Sequence, residues 1–244
     1  MPRTPIWQSI ATTLTHEIAG GHYPPGARMP TEAALSSRFG VNRHTVRRAL
    51  KRMSEDGLVH SRRGAGVFVA MKPMDYAIGR RTRFHQNLAA AGQTPGKKIL
   101  HLETRQSDTR EAEALALPAG ADVHAYEGLS LADGQPIAVS RSIFPAAPFP
   151  GFLDDLAELG SITAALARHG IADYTRASTR LTAKAATATQ ALHLRIAENA
   201  PLLQAVAINI DTTGMPIEYG HTWFAGERVT LTLSDPALQD AQMS

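Results

Sequence analysis

The 244-residue chain contains no cysteine, which excludes disulfides and thiolate-bound metal and agrees with a reducing, cytoplasmic setting. No apolar run approaches the ~18 residues of a membrane span. The N-terminus does not read as a signal peptide, because its first helical segment carries Gln8, His16 and Glu17. Catalytic signatures are missing too: there is no Gly-x-Ser-x-Gly elbow, no Walker-type phosphate loop and no His-Glu-x-x-His. The ten histidines are scattered without metal-ligand spacing. Glu218 alone could act as a general acid or base, but it has no partner nearby in the sequence. The expectation is a cytoplasmic protein that is not an enzyme and needs no metal or cofactor.

What is present is ordinary in bulk, with 43% hydrophobic and 19% charged residues, but uneven along the chain. Residues 1–72 hold eleven Lys/Arg against four acids, a charge of +7, and the remainder holds fourteen against eighteen, a charge of −4. A basic segment beside an acidic one points to a polyanion that meets only the first.

That basic segment is patterned. After Pro5, Ile6, Ile10, Leu14 and Ile18 recur every four residues and predict an amphipathic helix ending at Gly20-Gly21. Pro24-Pro25-Gly26 is a turn. Thr31 can cap a short helix from Glu32 to Phe39, stopped by Gly40. A third helix starts near Asn42, with Val46, Ala49, Leu50 and Met53 on its buried face. Its other side carries Arg43, Arg47 and Lys51 in one stripe and His44, Arg48 and Arg52 in the next. Like charges so stacked need a counter-charge from elsewhere, and a DNA major groove supplies one. Leu58-Val59-His60 and Val67-Phe68-Val69 flank Ser61-Arg62-Arg63-Gly64-Ala65-Gly66, which reads as a β-hairpin with a basic, glycine-bearing tip.

Two helices, a basic helix and a basic hairpin make a winged helix-turn-helix. Pro-Pro-Gly-Ala-Arg-Met-Pro-Thr-Glu (24–32), Phe-Gly-Val-Asn-Arg-His-Thr-Val-Arg-Arg-Ala-Leu (39–50) and Gly-Leu-Val-His-Ser-Arg-Arg-Gly-Ala-Gly-Val-Phe-Val (57–69) resemble the DNA-binding domain of the GntR superfamily. The resemblance implies that Asn42, Arg43, His44, Thr45 and Arg47 face DNA, with Arg48 beside them. It places Arg62, Arg63, Gly64 and Gly66 at the wing and Arg28 and Arg38 on phosphates.

Lys72–Arg83 has no clear period and reads as a linker. Beyond it, helices are expected at 112–117, 151–159, 161–168 and 187–194, and extended segments at 122–131, 136–144, 174–184, 201–210 and 217–233. The region repeats itself: Ala114-Leu-Ala-Leu then Gly134-Gln-Pro-Ile137 is echoed by Ala191-Leu-His-Leu then Gly214-Met-Pro-Ile217. The offsets of these landmarks, 77 and 80 residues, place three extra residues in the later copy. Two helix-plus-hairpin units imply a pseudo-symmetric antiparallel sheet with helices packed on it, and a ligand cleft between the halves.

Phe84…Gln93-Thr94-Pro95-Gly96, Ala132-Asp133-Gly134-Gln135-Pro136-Ile137, Ser161-Ile162-Thr163 and Gly214-Met215-Pro216-Ile217-Glu218-Tyr219 resemble the UTRA sensor domain of the HutC subfamily, which has a chorismate-lyase-like α+β fold. Val41-Asn42-Arg43-His44-Thr45, Lys72-Pro73-Met74-Asp75-Tyr76 and Arg83-Phe84-His85-Gln86-Asn87-Leu88 are similar to regulators of phosphonate uptake and degradation operons. The domains implied are 1–71 for DNA binding, 72–83 as linker, 84–236 for sensing and dimerisation, and 237–244 as tail. The resemblance places effector-facing positions at His85, Asn87, Ser130, Ser161, Thr163 and Glu218. Sugar-phosphate sensors of this kind carry two arginines before the Asp-Gly turn, where Gly128 and Ser130 stand here. A phosphate-binding arginine must come from elsewhere, with Arg83, Arg141 and Arg180 as candidates. Glu218 would meet an amine or hydroxyl of the ligand, or hold an arginine.

The expected protein is a homodimeric repressor that binds pseudo-palindromic operator DNA and a small anionic effector, a phosphonate, phosphate ester or phosphate, away from any membrane. The competing readings are a sugar-phosphate regulator of the same subfamily, a lyase-like enzyme with an appended DNA-binding domain, and an architectural DNA binder without effector.

Overall fold

The computed structural model describes residues 5–62, 64–70, 73–81 and 84–233, and of Arg62 only the backbone. The expectations for Arg63, Arg83 and the 237–244 tail lie outside the described residues. The chain divides into two compact units, Met1–Lys72 and Pro73–Ser244.

In the first unit, α1 (Ile6–Ala19), α2 (Glu32–Phe39) and α3 (Arg43–Glu55) are followed by β1 (Val59–Arg62) and β2 (Gly66–Val69). The caps are those the sequence predicts. Thr31 Oγ1 accepts from the Ala34 amide at 3.2 Å, Asn42 Oδ1 accepts from the Thr45 amide at 2.9 Å, and Gly40 ends α2 in the left-handed region. The apolar stripes of α1 and α3 meet in a core of Ile10, Leu14, Leu35, Val46, Leu50, Met53, Val59 and Val69. Each such side chain contributes roughly 1.5–3 kcal/mol by leaving water. β1 and β2 pair antiparallel from Val59↔Val69 to Arg62↔Gly66, and the backbone of Arg28 makes a single bridge to Phe68 alongside them.

The second unit begins with a correction. Within the expected linker, Met74–Ala77 is a strand, β3, with Met74, Tyr76 and Ile78 buried. The period-two burial was hidden because only three apolar positions carry it. There follow α4 (Phe84–Ala90), β4 (Pro95–Gln106), α5 (Thr109–Leu115), β5 (Asp122–Ala132), β6 (Gln135–Pro145), α6 (Phe152–Leu159) and α7 (Ile162–Arg168). The chain closes with β7 (Thr175–Ala185), α8 (Ala188–Leu194), β8 (Pro201–Ile210), β9 (Pro216–Ala225) and β10 (Val229–Thr232). The long strand expected at 217–233 is thus two, broken at Gly226, where a Cβ would lie 2.9 Å from the Pro201 carbonyl oxygen. β10 pairs in parallel with β3 rather than continuing the main sheet.

The main sheet is antiparallel with strand order β4-β5-β6-β9-β8-β7. Each half is strand, helix, hairpin: β4-α5-β5-β6 and β7-α8-β8-β9. The expected internal repeat is therefore real in space, but its register differs. The capping boxes Asp108/Glu111 and Thr187/Gln190 and the left-handed helix ends Ala116 and Arg195 are all related by 79 residues. The turn glycines Gly134 and Gly214 are 80 apart, so the later copy carries one extra residue between cap and turn, not three.

The two faces of the sheet are packed differently. One carries α5 on Val123, Ala125 and Ile143, and α8 on Leu129, Val139 and Leu202. The other is covered at its two ends. The β3–β10 pair and α4 pack through Tyr76, Leu88 and Val229 on Ala138, Ala205 and Phe224. At the other end α6 and α7 pack through Phe152, Leu156 and Leu166 on Tyr126 and Phe144. Between these clusters the strands present Gly128, Ser130, Ser140, Ala205, Ala207, Gly220 and Thr222, side chains too short to fill the gap. That floor makes a cleft.

Candidate functional site

The first unit gathers its cations on α3 and the wing. Arg43 and His44 are exposed at the start of α3 beside the Asn42 cap. Thr45 is half-buried and donates its hydroxyl to Asn42 Oδ1 at 2.9 Å, so this pair shapes the helix start. Arg47 is exposed and makes a two-pronged contact with Glu32 of α2, at 3.1 and 2.8 Å. Arg48 lies 4.7 Å over the Trp7 ring, Lys51 pairs with Glu55, and Arg52 pairs with Asp56. The stripe of like charge is thus partly answered from within the unit, which corrects the expectation that its counter-charge must come from outside. Arg38 forms an ion pair with Glu17 and lies 4.9 Å over Phe39, tying α2 to α1 rather than standing apart for a phosphate. At the wing, Gly64 and Gly66 both have left-handed φ, and a Cβ at Gly66 would meet Arg28 Nε at 3.0 Å. Arg28 therefore lies flat against the hairpin, on its exposed side.

In the second unit the cleft has two adjoining chambers. An inner one of about 70 Å³ is lined by Ser130, Ser140, Ala205, Ala207, Thr222 and Ile78. An outer one of about 430 Å³ is lined by His85, Ser161, Thr163, Tyr174 and Glu218. Tyr76, Phe84, Lys97, Arg176 and Asn209 line both. Five of the expected effector residues are brought together here: His85, Ser130, Ser161, Thr163 and Glu218. Ser161 also caps α7, accepting from the Ala164 amide at 3.3 Å, and Thr163 shares a 2.9 Å hydrogen bond with the Tyr174 hydroxyl.

The remaining expectations fail for physical reasons. Asn87 is turned to the β3 side, where it donates to the Ala77 carbonyl at 3.0 Å, bracing the strand above the cleft. Arg141 lies between Ser140 and Ser142, both on the cleft side of β6, so it points to the opposite face. There it sits 3.6 Å from Glu111 and 3.9 Å from Glu127. Arg180 pairs across from Val206, whereas Ala207 and Asn209 face the cleft, so Arg180 is also on the far side.

The cations that do line the cleft are Lys97 and Arg176, neither of which stands out in the sequence. Lys97 comes from edge strand β4, with its Nζ 4.6 Å over the Phe84 ring. Burial pushes its pKa down to about 8, opposed by the charge of Glu218. Burial, and then Lys97, also lower the His85 pKa, so His85 is neutral at neutral pH and offers one N–H. Arg176 comes from the opposite edge, β7, its Nε directed at Asn209 Oδ1 at 3.5 Å. Asn209 in turn donates to Glu218 Oε2 at 2.7 Å, and Ser142 donates to Glu218 Oε1 at 2.6 Å. Beside the floor, on the same face of the sheet, the Tyr126 ring lies over Gly128 near Ser140, its pKa pushed up to about 12 by burial.

Residues 7–69 match the family model "Bacterial regulatory proteins, gntR family", and residues 90–230 match that of the UTRA domain. The chain belongs to the GntR family of transcription regulators, HutC type. It is 36% identical over 229 residues to the HTH-type transcriptional regulator RB1450 of Rhizobium meliloti, spanning 93% of this chain and 94% of that one. It is 31% identical over 228 residues to the protein named "Probable transcriptional regulator PhnF" of Escherichia coli, with 93% and 94% covered. Among solved structures, PhnF from Mycobacterium smegmatis aligns with a TM-score of 0.64 at 25% identity, over 93% of this regulator and 99% of that chain. These relatives are regulators, not enzymes, and no helix among the described residues is long and apolar enough to cross a membrane. In this regulator the basic unit is the DNA-binding domain and the cleft lies in the UTRA domain.

Proposed function

We propose that this regulator is a homodimeric repressor of an operon for phosphonate uptake or degradation, controlled by a small phosphonate, phosphate ester or phosphate in the UTRA cleft. The carrying observation is the convergence of Lys97 and Arg176, from opposite edges of the sheet, on a chamber floored by Ser130 and Ser140. Two cations and several hydroxyls around a small volume recognise a tetrahedral oxyanion. The likeness to PhnF supports the phosphonate assignment, and the relative named "HTH-type transcriptional repressor NagR", 28% identical over 226 residues, supports repression. With Gly128 and Ser130 where sugar-phosphate sensors carry arginines, the cations come instead from the sheet edges.

A single recognition helix reads only a few base pairs, so two heads related by a dyad are needed to select one operator. Arg43, His44 and Arg47 would read bases, and Arg28 and the wing would contact the backbone. Calorimetry with phosphate, methylphosphonate, 2-aminoethylphosphonate and glucosamine 6-phosphate tests the effector class. Binding of the sugar phosphate alone would overturn the phosphonate reading. Sedimentation as a monomer at micromolar concentration, with and without operator DNA, would overturn the dimer.

A further inference from the structure

The two chambers of the cleft differ in charge. The inner chamber is lined by two cations, Lys97 and Arg176, and by no acid. The outer chamber adds one carboxylate, Glu218. Glu218 is only 7% exposed. Its two oxygens each accept one hydrogen bond, from the neutral Ser142 and Asn209 side chains. No lysine, arginine or histidine among the described residues forms an ion pair with it, although Lys97 is close enough to feel its charge. A carboxylate offers about four lone-pair positions, of which two are used here. Buried charges in proteins are paired, because desolvation is otherwise uncompensated. Glu218 departs from that pattern where it borders a cleft.

Resting on the reading of this cleft as the effector site, we propose that the effector is a zwitterion. Its oxyanion sits in the inner chamber between Lys97 and Arg176, and its ammonium group, a few bonds away, sits in the outer chamber against Glu218. Glu218 is then the residue that separates amino-substituted anions from plain ones. The ammonium supplies the missing counter-charge and fills the unused acceptor positions. Asn209 links the two subsites, since it holds Glu218 with its amide and faces Arg176 with its oxygen.

Three probes of similar size separate this from simple anion binding: 2-aminoethylphosphonate, ethylphosphonate and 2-carboxyethylphosphonate, titrated by calorimetry into the full-length protein. A charge-assisted hydrogen bond predicts that the aminoethyl compound binds about tenfold or more tighter than the ethyl compound. The carboxyethyl compound binds more weakly than either. In Glu218→Gln the aminoethyl-to-ethyl ratio collapses toward one, and the penalty on the carboxyethyl compound is relieved. The ratio is its own control, because a folding defect lowers all three affinities together. Should Glu218→Gln fail to fold, the order of the three ligands on the wild type decides. Equal binding of the ethyl and aminoethyl compounds overturns the ammonium subsite while leaving the anion cleft intact. A ratio retained in folded Glu218→Gln overturns the role of Glu218. If none of the three binds the wild type, the reading of the cleft falls, and this proposal with it.

Discussion

Gly128→Ala tests the construction of the cleft floor more directly than any ligand. The obstacle is steric, since Gly128 is not among the glycines with left-handed φ. A Cβ there would lie 1.8 Å from Tyr126 Oη, 2.3 Å from Cζ and 3.0 Å from Cε1. Contacts between such atoms are comfortable near 3.5–4.0 Å, so the ring must retreat by about 1.5–2 Å. Tyr126 is almost fully buried and packed with Phe144 and Phe152, so it has little room. Overpacking of this kind costs roughly 1–3 kcal/mol. For a unit of this size that cost lowers the melting temperature by roughly 2–12 °C. Calorimetric melting of wild type, Gly128→Ala, Tyr126→Leu and the double variant completes a cycle. In the Tyr126→Leu background the obstructing hydroxyl is gone, and the alanine should cost less than about 1 kcal/mol. A wild-type melting temperature for Gly128→Ala, or the same cost in both backgrounds, would refute the packing argument.

Lys97 should make anion binding pH-dependent: with a ligand-free pKa of about 8, its ammonium is formed below that value and lost above it. Anion affinity is then flat at lower pH and falls above pH 8, by up to about tenfold per unit, whereas Lys97→Met binds weakly with a flatter profile; the ligand's own titration is common to both proteins, and parallel profiles would exclude Lys97. Arg47→Ala should weaken operator binding roughly ten- to hundredfold and relax selectivity at one base pair, while Arg62→Ala weakens all sequences and lowers the salt slope; unchanged gel-shift affinity for Arg47→Ala would remove it from the interface. Arg228 is buried with its guanidinium on the carbonyls of Pro136, Leu194 and Arg195, so Arg228→Met should destabilise the UTRA domain by on the order of 3 kcal/mol by stranding those acceptors, read as a lower denaturant midpoint.

The DNA-binding unit was legible from sequence because its signals are local. Thr31 and Asn42 act within three residues of themselves, the stripes of α1 and α3 repeat within one helix, and a hairpin closes over a few residues. Several positions implied by the family resemblance come together in the cleft for a related reason. His85, Ser161, Thr163 and Glu218 sit at element ends or turns, where short motifs mark them. The cations of the cleft were not legible. Lys97 lies on β4, whose alternation is broken by a bulge between Ile99 and His101, so it carries no strand signature. Arg176 and Arg180 would share one face of a regular strand, but the bulge between Arg176 and Ser178 sends them to opposite faces. Arg141 alternates regularly with Ser140 and Ser142, and which of those two faces meets the cleft is decided only by the packing of the sheet. The repeat announced two equivalent halves, yet only the paired caps at 108 and 187 set its register.

The amino-acid sequence by itself determined the elements and caps of the DNA-binding unit, most of the later helices and strands, and the split between a basic and an acidic unit, since these depend on contacts a few residues apart. Only the tertiary structure decided which charges share the cleft. Lys97 and Arg176 are 79 residues apart and stand on opposite edges of one sheet, brought over the same floor by strand order and two bulges. Strand order follows from burying both helix layers at once, and no local pattern encodes it.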